Sequence, residues 1–85
     1  MGESGAAVRR FYDTYRPIAR KYGLKMSSYT SLYDDGWIRI FRGEGAYKRQ
    51  IIKVEEKSDV DLYDRAAEIL TAWEKNEEKR HRAAV

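Results

Sequence analysis

Apolar residues recur at helical spacing near both ends of the chain and alternate in its middle, and this change of period divides it into five elements. Val8, Phe11, Tyr12, Tyr15, Ile18, Ala19 and Tyr22 form the first stripe. It predicts a helix over residues 5–22, with Ser4 as N-cap and Gly23 as a left-handed terminator. Pro17 lies off that stripe, and the stripe keeps phase on either side of it, so one kinked helix is expected. Leu62, Tyr63, Ala66, Ile69, Leu70 and Trp73 form the second stripe, behind Ser58 as N-cap with Asp61 three residues on. A helix over residues 59–80 follows. Beyond Trp73 it is polar on every side, a solvated extension held by pairs such as Glu78 with Arg82 and frayed at Ala83-Ala84-Val85.

Between the helices the pattern predicts strands over residues 26–33, 37–42 and 46–55. Asp-Gly at 35–36 marks a hairpin whose loop holds either two residues or three. The three-residue form, Asp34-Asp35-Gly36, sets Tyr33 against Trp37 and Leu32 against Ile38. It sorts the side chains: Met26, Thr30, Leu32, Ile38 and Ile40 line one face, and Tyr29, Tyr33, Trp37, Arg39 and Phe41 the other. That sorting favours the three-residue loop. Gly43-Glu44-Gly45 forms the second connection, where either glycine can take a positive φ. The length of this connection is open by one residue, which leaves open whether Ile51 or Ile52 points with Ile38; Ile52 and Val54 have the spacing of a core pair, and Tyr47 and Arg49 join the aromatic set. The fold class is α+β, a single α-β-β-β-α domain over residues 1–85 with both helices on the aliphatic face of a three-stranded antiparallel sheet.

A chain of 85 residues supports one modest core, burying about 60% of the surface that the unfolded chain exposes. The absence of cysteine excludes disulfide staples and thiolate metal sites. No apolar run is long enough to span a membrane, and a cytoplasmic protein with no membrane attachment is expected.

The net charge of +3 hides a segregation. Residues 1–33 carry +4, residues 34–54 carry +2, residues 55–78 carry −6 and residues 79–85 carry +3. Acids early in the second helix (Asp59, Asp61, Asp64) and bases late in it (Lys79, Arg80, Arg82) match the helix dipole, which gives these charges a structural explanation.

Candidate chemistry is sparse. The single histidine, His81, sits in the polar tail, away from any serine that could serve as a nucleophile. No segment has the form of a phosphate loop or a zinc site. Asp34 or Asp35 followed by Glu55-Glu56-Lys57 resembles the acidic residue and Glu-x-Lys of restriction-type nucleases, which hold Mg²⁺ on carboxylates. The aspartates, however, are already accounted for by the turn. No catalytic residue, cofactor or metal ligand is assigned, and a non-enzymatic role is expected.

The aromatic sheet face is the candidate site. Tyr29, Tyr33, Trp37, Arg39, Phe41, Tyr47 and Arg49 give it the Tyr/Trp/Arg composition of interaction hot spots. The alternatives are that these rings only support cross-strand pairing, or that the extension of the second helix caps them. Nucleic acid is a rival partner, with bases stacked on Tyr29, Trp37 and Phe41, and phosphates held by Arg39, Arg42, Lys48 and Arg49. A homodimer through the aromatic face would use the same residues.

The order of elements, with Arg65-Ala66-Ala67-Glu68-Ile69-Leu70 in the second helix, resembles the double-stranded RNA-binding domain, which implies the same α-β-β-β-α fold. That family carries lysines at the start of its second helix to hold phosphates, where this chain has Asp59, Asp61 and Asp64. In size and element order the chain also resembles small phage or mobile-element inhibitors, including some anti-CRISPR proteins. That resemblance implies inhibition of a larger host or nucleic-acid-processing enzyme by occupancy of a site. The expected function is a small protein-binding module of this kind, with nucleic-acid binding as the alternative.

Overall fold

The first helix, α1, runs unbroken from Gly2 to Tyr22 through Pro17 in the computed structural model, which describes residues 2–30 and 36–83. It starts earlier than the stripe predicts and takes in Ser4, so Ser4 is not its cap. Ala7 explains the difference: it is fully buried and carries the apolar stripe one turn further toward the N-terminus from Phe11. At the other end Gly23 takes φ +67°, the left-handed conformation that stops the helix and turns the chain directly into the sheet.

Strands β1 (Leu24–Tyr29), β2 (Gly36–Arg42) and β3 (Arg49–Glu56) form an antiparallel sheet in the order β1-β2-β3. The first hairpin departs from the predicted register. Tyr29 pairs with Trp37 and Ser28 with Ile38, where Tyr33 and Leu32 were expected, and residues 31–35 lie outside the described residues. Leu24 supplies the physical reason. In the predicted register Leu24 and Met26 would pair beyond the end of β2, whereas the observed one pairs Leu24 with Arg42 and Met26 with Ile40 and buries Leu24. The shift is four residues, an even number, so the division into faces survives it.

The second connection uses both of its glycines at positive φ, Gly43 at +94° and Gly45 at +57°. Residues Gly45–Tyr47 form a short 3₁₀ turn in place of the predicted start of the third strand. Gly43 admits no side chain, since a Cβ there would lie 2.7 Å from the Tyr47 carbonyl oxygen. Ile40 pairs with Ile52 but Phe41 pairs with Gln50, so Ile51 is the extra residue of a β-bulge.

The second helix, α2, spans Asp59–Ala83. Ser58 caps it as predicted: its Oγ accepts from the Asp61 backbone N–H at 3.4 Å, and its carbonyl accepts from the Leu62 N–H at 2.8 Å. Replacing Ser58 with alanine is expected to cost about 1 kcal/mol of stability, read as a lower urea midpoint; an unchanged midpoint would remove the cap from this account.

Both helices pack on one sheet face. Phe11 and Ile18 of α1, Leu62, Ala66 and Leu70 of α2, and Ile38, Ile40, Ile52 and Val54 of the sheet form a single buried cluster. The molecule measures 46 × 26 × 17 Å, and its thinnest dimension is one helix layer on one sheet, so among the described residues neither helix covers the opposite sheet face. Among the described residues no helix is long and apolar enough to cross a membrane.

Candidate binding face

Alternation along β2 sends Ile38 and Ile40 into the core and Trp37, Arg39 and Phe41 to the uncovered face. Cross-strand partners share a face, so Tyr29, Ser27 and Lys25 of β1 and Glu55 and Lys53 of β3 join them. At the last rung of the β1-β2 ladder the Tyr29 and Trp37 rings stack, with centroids 6.2 Å apart and planes 23° apart. The Arg39 guanidinium carbon sits 4.7 Å from the Trp37 ring centroid, and the Lys48 ammonium 4.5 Å from that of Phe41. Tyr29 is 51% exposed, while Trp37, Arg39 and Phe41 are half-buried by one another and by the sheet. Arg39 Nε is out of contact with solvent and has no hydrogen-bond partner among the described residues.

Four predicted site residues are therefore together: Tyr29, Trp37, Arg39 and Phe41. Lys48, expected as a phosphate contact, joins them through Phe41. Tyr33 lies outside the described residues. Tyr47 and Arg49 are corrections. The 3₁₀ turn lifts Tyr47 out of the sheet, leaving it 89% exposed and without a place in the stack. The bulge at Ile51 reverses the alternation below it, and Arg49 ends opposite Arg42, on the helix side.

Arg42 is the third correction. Its guanidinium carbon lies 5.4 Å from the Tyr22 ring and 5.8 Å from the Trp73 ring, and its Nη1 donates to Glu77 Oε2 at 3.2 Å. It closes one end of the core on the helix side, away from the open face on which it was expected as a phosphate contact. The same pair corrects the view of the α2 extension as merely solvated: Glu77 is only 18% exposed, and Lys21 Nζ reaches Glu78 at 3.4 Å. The side chains of His81 and Arg82 are not among those described, and with them the Glu78 and Arg82 pair. Since Glu77 and Glu78 hold the extension to the helix side, it does not cap the aromatic face. The α1 bases take part in the same way, with Arg10 donating to Asp64 of α2 at 3.0 and 3.2 Å. Part of the charge segregation is thus spent on joining the two helices.

On the open face Lys53 Nζ lies 2.8 Å from Glu55 Oε1. The hydrogen bond from Lys53, then its charge, and more weakly that of Arg39 hold the Glu55 carboxyl below its usual pKa. A depressed pKa adds stability above the unfolded value, and that contribution fades as pH falls through the lower folded value. Carbon-detected NMR titration is expected to place Glu55 below the ordinary glutamate value of about 4.3, and Lys53→Met to raise it. A Glu55 that titrates at the ordinary value would contradict the pairing.

This pairing also bears on the nuclease-like set. Asp34 and Asp35 lie outside the described residues, and Glu55 is directed to Lys53. Among the described residues no three His, Cys, Asp or Glu side chains are grouped to hold a metal ion. No protein-family model, curated protein or solved structure matches this chain.

Proposed function

We propose that the chain is a small non-enzymatic module that binds a partner protein through its open sheet face. The observation that carries this reading is Trp37, in contact with Tyr29 and Arg39 on a face that neither helix covers. Rings and a guanidinium fixed by mutual stacking lose little conformational freedom on binding, and Trp, Tyr and Arg are the residues on which interface energy concentrates. Action by occupancy fits an inhibitor of a larger enzyme, the role that the order of elements suggests.

The test places a photo-reactive phenylalanine analogue at Ser27, which is exposed on the open face, and in a second protein at Arg20, which is exposed on α1. Protein adducts from position 27 and none from position 20 are expected. Adducts from position 20 alone would refute the reading.

The alternative is nucleic-acid binding, favoured by the cations Lys25, Arg39, Lys48 and Lys53 on or beside this face. It is the weaker of the two because Arg39 and Lys48 already lie over the Trp37 and Phe41 rings on which bases would stack. Binding to single-stranded or duplex probes that falls steeply with added salt would promote it. Absent or salt-insensitive binding would remove it.

A further inference from the structure

We infer that the segment the open face receives is acidic, a carboxylate-rich stretch of the partner protein with Arg39 as the anchoring cation. This rests on the protein-binding reading above and adds the chemistry of the partner. Among the described residues two carboxylates lie at this surface and both are matched, Glu55 by Lys53 at 2.8 Å and Glu44 by Lys25 at 3.5 Å. Arg39 and Lys48 remain. Among the described residues neither meets a carboxylate at ion-pair distance, and each lies over an aromatic ring. Among the described residues the surplus is therefore positive, with Arg39 in the middle of β2.

Arg39 is also prepared for a carboxylate. Its Nε is enclosed and has no partner among the described residues, so the acceptors that can reach its guanidinium from outside must approach the two terminal nitrogens. A planar fork held against a ring favours bidentate binding of a carboxylate over contact with a point charge. Stacking on Trp37 limits the freedom lost when that bond forms. A nucleic acid would supply anions too, but its bases would have to displace Arg39 or Lys48 to reach the rings.

The experiment titrates the isotope-labelled full chain with an octaglutamate peptide, an octalysine peptide and an eight-residue oligothymidylate at one ionic strength. Octaglutamate is expected to shift the Trp37 indole N–H and Arg39 Nε–H signals saturably. Arg39→Gln and, separately, the exposed Lys48→Gln are each expected to weaken this by about tenfold. No shift, an equal shift with octalysine, or tighter binding of the oligonucleotide would overturn the inference. So would a concentration-dependent dimer that occludes Trp37, since a second copy would then occupy the face.

A variant combining Lys25→Glu, Lys48→Glu and Lys53→Glu separates the two levels of the argument. If cross-linking from position 27 survives these changes, the acidic-segment inference fails and the protein-binding reading stands. If the unaltered surface gives no protein adduct, the underlying reading fails.

Discussion

Replacing Phe11 with alanine is expected to lower the unfolding free energy by about 3–5 kcal/mol, the range for truncating a buried aromatic residue. Phe11 is fully buried where the helices meet, with ring centroids at 5.3 Å from Tyr12, 5.5 Å from Tyr15 and 5.5 Å from Tyr63. Truncation removes contacts to both helices at once and leaves a void beneath Tyr63. Domains of this size have total stabilities of roughly 4–13 kcal/mol, so the loss takes a large share of what holds the chain folded. Urea unfolding of the variant should show a much lower midpoint with an unchanged slope, and Phe11→Leu should recover part of the loss. A midpoint close to that of the original chain would mean that Phe11 is not central to the core.

Truncating Trp37 should have the opposite profile. Trp37 lies outside the buried cluster, and its main contacts, Tyr29 and Arg39, are on the same open face. Trp37→Ala is expected to leave the helical circular dichroism intact while weakening partner binding by about 2 kcal/mol or more, near thirtyfold. Part of that loss comes through Arg39, which no longer has a ring to lie on. Unchanged binding, or a chain that unfolds, would count against a surface role for this residue.

These two residues show what was legible in the sequence. Helical spacing placed Phe11 and the α2 stripe in the core because a pattern sustained over several turns admits one buried face. Alternation placed Trp37, Arg39 and Phe41 together for the same reason, and the four-residue register shift left that result intact. The register itself was harder to read, because the Asp-Gly signal is local whereas the position of β1 is fixed by Leu24 emerging from Gly23 at the far end of the strand.

Arg49 was misplaced because Ile51 and Ile52 are both apolar, so nothing in their order shows which is the bulge. Arg42 and Glu77 are 35 residues apart, and their meeting depends on how far α2 runs past the sheet. Its only trace in the sequence is the pair of glutamates at 77 and 78, which reads equally well as a solvated tail.

The central claim is that the uncovered sheet face is where the protein acts. Hydrogen-exchange footprinting of the chain with and without the protein recovered by cross-linking from position 27 tests it most directly. The account predicts slowed exchange in β1 and β2 around Tyr29, Trp37, Arg39 and Phe41, with the outer side of α1 unchanged. Protection confined to Arg9, Arg16 and Arg20 on α1, or to the exposed side of α2, with the sheet unaffected, would contradict it.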